Sequence, residues 1–384
     1  MLDLSRLTRT AREMGQALAH QERTFTERVA EGRAWLKTFA ESGETLREGA
    51  EAFGAAIPTG EPLNTVVPCP PIPARFTAIG ADGTAIQPDR HGQALYYLLN
   101  IGSLVYRHGS GQTPEARSIP SLHYTDDDLY EGALLVSGNL LDVRRDLAEI
   151  SHLADLVEAE PSGPILALVD GTLILWVLEN LPAPGRREKV TRYLTQLDRI
   201  CQKGAALAAF ISRPRHSEVG RLLHLAQSGG DVQRAREREN PLERIPDRVL
   251  FAHLPPGSRS ALFASPNSIN RMFYVPAGHE ILFFYLNVAD EGEEPIIARV
   301  ETPRWVTEDK QRLALVHAGI VAQCRITGGF PYVLARADEL AYISGPEREQ
   351  LEEMVGMALL AAGIVSAPSP KAYYKSLTRR GRRW

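Results

Sequence analysis

Two apolar runs in this chain lead into the tripeptide Asp-Gly-Thr, and this repeated feature constrains the fold most. The first run, "FTAIGADGT", spans residues 76–84, and the second, "PILALVDGT", spans residues 164–172. An apolar run bounded by a turn signal is typical of a buried strand, and Asp-Gly is a frequent turn signal. The sequence therefore predicts two strands that each end at an aspartate, Asp82 and Asp170.

The segments between these strands predict how they are connected. "RFTAIGAD", "ALYYLLNIGSLVYRHG" and "RSIPSLHY" are apolar runs separated by glycine, proline or polar residues, which favours an antiparallel meander. Residues 139–159 then carry apolar side chains at helical spacing, which predicts an amphipathic helix leading into the strand of Asp170. The apolar positions of this helix are Leu140, Val143, Leu147, Ile150, Leu153 and Leu156.

The rest of the chain mixes helical and strand-like patterns. Residues 3–54 predict helix, as two helices or as one long arm, and the proline-rich "VPCPPIP" ends that region. We predict a helix at 187–203, followed by a buried strand in "AALAAFISRP". Further strands are predicted in "RVLFAHL", "SALFAS", "MFYVP", "EILFFYLNV" and "PIIARVE". The predicted C-terminal helices are 307–324, 331–343 and 346–363.

Together these patterns predict an α/β protein with a mixed sheet flanked by helices. An N-terminal helical arm precedes this core, and further helices follow it. The predicted regions are a helical region at 1–66, a main domain at 67–365 and a basic tail at 366–384.

Composition bounds the class of protein more weakly. A hydrophobic fraction of 44% and a charged fraction of 23% are typical of soluble globular chains, and a net charge of −4 excludes no partner. The three cysteines stand far apart, the N-terminus lacks the apolar core of a signal peptide, and no run of about 18 apolar residues occurs. We therefore expect a cytoplasmic protein with no membrane contact.

The sequence also lacks the phosphate-binding motif GxxxxGK[ST], so we expect no ATPase activity of its own.

The order of elements predicts a cluster of carboxylates. A strand with Asp82, two further strands, a helix with Glu149 and a strand with Asp170 can bring three acids to one edge of a sheet. Such acids bind Mg²⁺ or Mn²⁺, and a pair of these ions activates water against a phosphodiester. The alternative stays open at this point, because Asp-Gly also marks turns without chemistry and Glu149 has the position of a solvated helix residue.

Several longer blocks resemble one known family. "ADGTAIQPDRHGQALYYLLNIGSLVYRHGSG", "LALVDGTLILW", "FISRPR", "PDRVLF", "FFYLNV", "IARVETPRW" and "GGFPYVLARADELAYIS" follow one another as in the NurA nucleases, most closely their bacterial branch. The resemblance covers residues 75–345. It implies an RNase H-like core, hydrolysis of DNA with Mn²⁺ or Mg²⁺, and a homodimer. It also implies work with the hexameric helicase or translocase HerA in DNA end resection, DNA repair or phage defence.

The resemblance also implies roles for individual residues. Asp82 and Asp170 match the two metal-binding aspartates, and Glu149 matches the glutamate between them. Asp338 stands where archaeal relatives have a histidine, which leaves the metal preference open. Arg213 stands where some relatives have a lysine, and either cation could bind a scissile phosphate, although Arg213 could equally cap the strand end or pair with a surface acid.

Other residues of the similar blocks are less specific. His91 follows the first aspartate closely and is a candidate for substrate binding. Asp247 and Glu301 also lie in blocks that resemble the family, although a turn or a salt bridge would explain each equally well.

Other functions fit the same sequence. A catalytically silent subunit that binds DNA or regulates a motor is the first alternative, and the retained acidic residues argue against it. Another RNase H-like enzyme, such as one that cleaves RNA or depends on a guide, is the second. A subunit that serves assembly through its helical arm is the third.

Overall fold

The computed structural model describes residues 7–180 and 183–364. The predicted basic tail at 366–384 and the first residues of the predicted N-terminal helix lie outside the described residues. The helices are α1 (Thr8–Thr38), α2 (Gly43–Phe53), α3 (Asp126–Leu129), α4 (Asn139–Ala159), α5 (Ala183–Gln202), α6 (Glu218–Gln227), α7 (Val232–Glu237), α8 (Asp247–Leu250), α9 (Arg304–Thr307), α10 (Lys310–Thr327), α11 (Tyr332–Ala341) and α12 (Gly345–Ala361). The strands are β1 (Ile57–Pro58), β2 (Phe76–Ile86), β3 (Tyr97–His108), β4 (Glu115–His123), β5 (Tyr130–Glu131), β6 (Leu134–Leu135), β7 (Ile165–Asp170), β8 (Ala206–Ile211), β9 (Phe263–Ala264), β10 (Ile281–Asn287) and β11 (Ile297–Pro303).

The chain divides into two compact units, and each contains segments that are distant in sequence. Of the described residues, the first unit contains 7–73, 171–174 and 207–331. The second contains 74–170, 175–180, 183–206 and 332–364. The domain limits expected at 66 and 365 remain a prediction.

The second unit contains the sheet β4-β3-β2-β7. Strands β2, β3 and β4 pair antiparallel in chain order, and β7 returns parallel to β2. Three antiparallel strands, a helix and a parallel strand beside the first strand form the order of an RNase H-like core. The predicted meander is confirmed, and so is the predicted helix, because α4 spans residues 139–159.

Helices cover both faces of this sheet. On α4 the buried positions include Leu147, Ile150 and Leu153, and this apolar face packs against β2. On the other face α11 packs closely on β2 and β3 because two glycines remove the intervening side chains. A Cβ atom at Gly80 would lie 2.7 Å from the Val333 carbonyl oxygen, and one at Gly102 would lie 2.2 Å from the Ala337 carbonyl oxygen.

The first unit contributes five strands and has a hydrophobic core of its own. Strands β1, β9, β10, β11 and β8 pair antiparallel in that order. The N-terminal region forms two helices rather than one arm, since α1 ends at Thr38 and α2 begins at Gly43. Leu36 and Leu46 of these helices join the buried apolar cluster that also contains Phe283 of β10.

Two predicted strands of this unit are wrong. The segment "RVLFAHL" contains α8, and Leu250, Phe251 and Leu254 are buried from turns rather than from a strand. The segment "MFYVP" overlaps a π-helical turn, Asn270–Tyr274. Short apolar runs do not distinguish a buried strand from a buried turn, which explains both errors.

The remaining predicted elements agree with the structure. The C-terminal helices are present as α10, α11 and α12, and the predicted strands around β8, β10 and β11 are observed.

Among the described residues no single helix is long and apolar enough to cross a membrane. The bent pair Lys310–Thr327 and Tyr332–Ala361 passes that test of length and composition only when taken together.

Candidate active site

The register of two parallel strands places Asp82 beside Asp170. Ala81 of β2 pairs with Val169 of β7, and each aspartate is the next residue of its strand. Paired positions on neighbouring strands direct their side chains to the same face of a sheet. The two aspartates therefore lie side by side in the second unit.

The two Asp-Gly-Thr tripeptides differ in local structure. Asp170 is the last residue of β7, and Gly171 turns the chain with a φ of 87°. Asp82 does not end its strand, because β2 continues to Ile86 and Gly83 pairs with Ile101 of β3. The prediction that both aspartates end a strand is thus wrong for Asp82: hydrogen bonding to β3 overrides the local turn signal.

The carboxyl group of Asp82 is half-buried and lies close to other negative charges. Its Oδ1 accepts a hydrogen bond of 2.8 Å from the backbone N–H of Gly83. Burial raises the pKa of Asp82 to about 6, and the negative charges of Asp170 and Asp338 raise it further against that hydrogen bond. Closely placed carboxylates resist simultaneous ionisation, and a cation beside them would relieve their repulsion.

Glu149 approaches the same strand from α4. Its side chain is only 12% exposed, and its Oε1 lies 3.1 Å from Nε of Arg145. Burial raises the pKa of Glu149 well above its usual range, and Asp146, Asp82 and Asp170 add to that shift while Arg145 opposes it. The carboxylate of Glu149 is therefore electrostatically coupled to both aspartates.

Gly83 allows this approach. A Cβ atom at that position would lie 2.6 Å from Glu149 Oε1 and 3.0 Å from Arg145 Cγ, so a side chain there would displace both groups. Gly83 alternates with Asp82 along β2 and therefore faces α4, whereas Asp82 faces the side of α11. The acids thus meet at the sheet from both of its faces.

Asp338 joins the cluster from α11. Its carboxyl group shares a hydrogen bond with Asp82, and this contact contributes to the raised pKa of Asp82. The close packing of α11 on Gly80 and Gly102 brings the helix near enough for that contact. Sequence comparison alone offered Asp338 as a substitute for a histidine, and the structure places it against Asp82.

The donor set of this cluster fits a hard divalent cation. All four side chains offer carboxylate oxygens, which suit Mg²⁺ or Mn²⁺ better than Zn²⁺. Glu149 Oε1 is buried and accepts no hydrogen bond, so a lone pair is available for a metal. Within residues 7–180 and 183–364, no three acidic, histidine or cysteine side chains already stand in a metal-binding arrangement.

The other two predicted site residues lie on the surface. His91 follows β2 in an exposed turn, where its backbone N–H donates to Asp89. Arg213 is exposed in the segment after β8 and belongs to the first unit. The structure assigns neither residue to the carboxylate cluster.

Two charged residues of the site were missed in the sequence. Arg145 lies 3.0 Å from Asp146 and 3.8 Å from Asp142, besides its contact with Glu149. Asp146 also contributes to the raised pKa of Glu149. The spacing of four residues between Arg145 and Glu149 is a helical ion-pair signal that would have identified the arginine.

Two further residues of the similar blocks have structural partners. Both Asp247 oxygens accept backbone N–H groups at the start of α6, from Val219 and Gly220 at 2.9 Å each. Glu301 is buried and accepts hydrogen bonds from Thr172 Oγ1 and the Leu173 N–H. These contacts explain both acids without a catalytic role.

The family of the chain follows from a match over most of its length. The family model described as NurA domain matches residues 76–343, a range that contains all four clustered acids. The chain belongs to the NurA family. The family resemblance of the sequence is thereby confirmed.

Solved NurA structures are distant relatives. The crystal structure of the NurA nuclease from Sulfolobus solfataricus is 15% identical, covers 90% of this chain and 98% of that chain, and gives a TM-score of 0.47. The crystal structure of NurA bound to dAMP and manganese is 12% identical, covers 88% of this chain and 97% of that chain, and gives a TM-score of 0.39. Among curated proteins nothing matches.

Proposed function

We propose that this NurA-family chain is a metal-dependent deoxyribonuclease, a hydrolase of DNA phosphodiesters. The observation that carries the proposal is the placement of Asp82 beside Asp170 by the pairing of β2 with β7, with Glu149 packed against Gly83 of the same strand in an RNase H-like unit. Asp338 adds a fourth carboxyl group through its contact with Asp82. Four acids kept this close cost stability, so a cation-binding role gives a reason for their placement.

Each acid has a role in this proposal. Asp82, Glu149 and Asp170 would hold Mn²⁺ or Mg²⁺, and Asp338 would complete the set. When bound, a pair of such ions activates a water molecule and stabilises the leaving oxygen of the phosphodiester. Asp82 would bind the ion in its ionised form, and Gly83 leaves room for the neighbouring carboxylate of Glu149.

DNA binding would use exposed polar side chains. Arg213 and His91 are exposed, and we propose that they contact the phosphate backbone of DNA. Such contacts position the strand without reading its sequence. A planar guanidinium suits this task because it binds phosphate with two parallel hydrogen bonds.

The proposal extends to partners on the basis of the family resemblance. A homodimer would work with a HerA-like hexameric ATPase in the cytoplasm, in DNA end resection and repair or in phage defence. The absence of a GxxxxGK[ST] motif from the sequence supports a separate motor.

A nuclease assay with metal controls tests the proposal. Linear single-stranded and double-stranded DNA is incubated with the chain and Mn²⁺, Mg²⁺ or EDTA. We expect cutting that requires the metal and that Asp82→Asn and Asp170→Asn each reduce at least 100-fold, the scale of losing a metal ligand or its support. Asp155→Asn is the matched control, since Asp155 is a 61% exposed acid of α4 that pairs with Arg199.

The outcomes separate the proposed function from its alternatives. Cutting that survives both aspartate substitutions would contradict the metal site. An inactive wild type is retested with a HerA-like hexamer and ATP. Inactivity in that assembly, together with retained DNA binding, would favour the silent DNA-binding subunit, and cleavage of RNA but not DNA would favour a ribonuclease.

A further inference from the structure

The guanidinium group of Arg145 lies beside the buried carboxylate of Glu149. Its Nε lies 3.1 Å from Glu149 Oε1, within the second unit and beside Gly83. The guanidinium is the cation in ion-pair contact with this buried carboxylate. Arg145 offsets part of the charge of Glu149, although burial and Asp146 still keep the pKa of Glu149 raised.

The contact is an ion pair without a directed hydrogen bond. Arg145 Nε and Glu149 Oε1 are both buried, and neither atom has a hydrogen-bond partner despite their short separation. A pair held by charge alone in this geometry forgoes the energy of a charge-assisted hydrogen bond. It is therefore easier to separate than a bidentate arginine–carboxylate pair.

Arg145 has two further carboxylate partners on α4. Its Nη2 lies 3.0 Å from Asp146 Oδ1, and its Nη1 lies 3.8 Å from Asp142 Oδ1. Both aspartates are partly exposed, at 25% and 39% of their side-chain surface. The guanidinium can leave Glu149 and remain paired at the edge of α4.

We propose that Arg145 is a resident counter-ion of Glu149 that a divalent cation displaces. The inference rests on the proposed metal site and adds a residue that sets how tightly that site binds. In the metal-free chain Arg145 partly offsets the charge of Glu149, and on metal binding the guanidinium leaves Glu149 while it keeps its contacts with Asp146 and Asp142. Arg145 is thus a positioning residue that lowers metal affinity in exchange for a stable metal-free site.

Titration of the metal-free full chain with Mn²⁺ at pH 8 tests this role by calorimetry. Removal of a neighbouring positive charge strengthens the attraction for a divalent cation, so Arg145→Gln should bind Mn²⁺ about tenfold tighter than wild type. Arg145→Lys keeps the charge and should stay within about threefold of wild type.

Arg144→Gln is the matched control. Arg144 is the neighbouring arginine of α4, but it donates to Tyr97 Oη and pairs with Glu131 instead of Glu149. Its loss removes the same charge from the same helix and should change the Mn²⁺ affinity by less than about twofold, because the charge is screened over the longer distance. Melting temperatures without metal should fall for Arg145→Gln.

A second measurement on the wild type does not depend on a folded variant. The Nε–H of Arg145 is buried and should exchange slowly with solvent in ¹⁵N spectra of the metal-free chain. Saturating Mg²⁺ should accelerate this exchange by at least tenfold. The reason is that the guanidinium leaves the buried Glu149 and keeps only its partly exposed partners Asp146 and Asp142. Slow exchange that persists while Mg²⁺ binds would overturn the inference.

The calorimetric outcomes distinguish this inference from the proposed function. Wild type that binds Mn²⁺ and Arg145→Gln that binds it equally or more weakly would overturn the counter-ion role alone. Failure of both proteins to bind Mn²⁺ would overturn the metal site, and the inference with it. Binding by Arg145→Gln but not by wild type would support the counter-ion role in its strongest form.

Discussion

Glu301 accepts a hydrogen bond of 2.6 Å from the hydroxyl group of Thr172, two residues after Asp170 in the chain. The same carboxylate oxygen accepts the Leu173 N–H at 3.1 Å, and the Thr172 hydroxyl in turn accepts the Ile174 N–H. Arg299, which is fully buried, pairs with Glu301 at 3.0 Å. A buried ion pair therefore fixes the turn that begins at Gly171.

Replacement of Thr172 by valine should weaken this turn. Thr172→Val leaves Glu301 Oε2 with a single donor and removes the acceptor of the Ile174 N–H. Loss of a hydrogen bond to a charged group costs about 1–3 kcal/mol, and we expect a decrease of about 2 kcal/mol in the free energy of unfolding in urea. Thr84→Val is the control, since Thr84 lies within β2 where a β-branched residue is favoured. Equal stability of both variants would contradict the role of Glu301.

The contrast between Thr172 and Thr84 shows where local sequence loses its predictive power. Identical tripeptides form a turn at Gly171 and a continuous strand at Gly83, because β3 supplies hydrogen-bonding partners along all of β2. A strand partner that is distant in sequence is not encoded in the tripeptide. The helix α4 and the meander were predicted correctly because each has a long periodic pattern of its own.

The carboxylate cluster was only partly predictable for the same reason. The order of strands and helix indicated that Asp82, Glu149 and Asp170 could converge. The approach of Asp338 depends on Gly80 and Gly102, because the absence of side chains there lets α11 pack closely on β2 and β3. Helix α11 is far from both strands in sequence, so this contact is not visible in any local pattern. Similarly, Asn270 bonds to the backbone of Ile281, a contact across 11 residues that converts a predicted strand into a turn.

Neutralisation of Asp82 should separate stability from function. Asp82→Asn removes a buried carboxyl group whose pKa is raised to about 6, so the metal-free protein should become more stable at pH 8. Each kcal/mol gained raises the melting temperature by about 2–4 °C in proteins of roughly 200 residues. Differential scanning calorimetry with and without Mn²⁺ measures both effects.

The metal response of Asp82→Asn completes this prediction. Wild type should gain thermal stability from Mn²⁺ because the ion binds the folded state, whereas the variant should gain little. A variant that is less stable than wild type without metal would show that Asp82 has a structural partner worth more than its electrostatic cost.

Gly102 should tolerate no side chain. In Gly102→Ala the new Cβ would lie 2.2 Å from the carbonyl oxygen of Ala337 and 2.4 Å from the N atom of Ala341, both in the backbone of α11. Because backbone cannot rotate away, α11 must shift, at a cost of about 3 kcal/mol in the free energy of unfolding. Gly163→Ala is the control, since that Cβ would meet nothing within 4 Å. A Gly102→Ala variant with wild-type stability would contradict the close packing of α11 on β3.

The same Gly102→Ala substitution should also weaken Mn²⁺ binding. The displaced α11 carries Asp338, so its carboxyl group would move away from Asp82. We expect a loss of about tenfold in Mn²⁺ affinity, the scale seen when a supporting contact of a metal ligand is removed. Calorimetric titration of a Gly102→Ala protein that is folded at 10 °C measures this effect, and unchanged affinity would exclude Asp338 from the metal site.

Asp247 should make stability depend on pH. Burial raises the pKa of Asp247 to about 7, although the N–H groups of Val219 and Gly220 and the hydroxyl of Tyr285 favour its charged form; the charge of Glu218 opposes them. The folded state therefore holds the proton more tightly than the unfolded chain, in which aspartate titrates near about 4. The stability from this group is complete below pH 4 and is lost as the pH rises towards 7.

The substituted side chain in Asp247→Asn does not ionise. Comparison of this variant with wild type therefore isolates the contribution of the Asp247 carboxyl group to stability. Relative to the variant, wild type should lose up to about 4 kcal/mol of unfolding free energy between pH 4 and pH 7.5, since each unit of pKa shift corresponds to about 1.4 kcal/mol. Urea unfolding of both proteins at pH 4.5, 5.5, 6.5 and 7.5 measures the difference. The amide keeps one acceptor for the start of α6, so both proteins should remain folded over this range. Stability curves that run parallel across these pH values would contradict the raised pKa of Asp247.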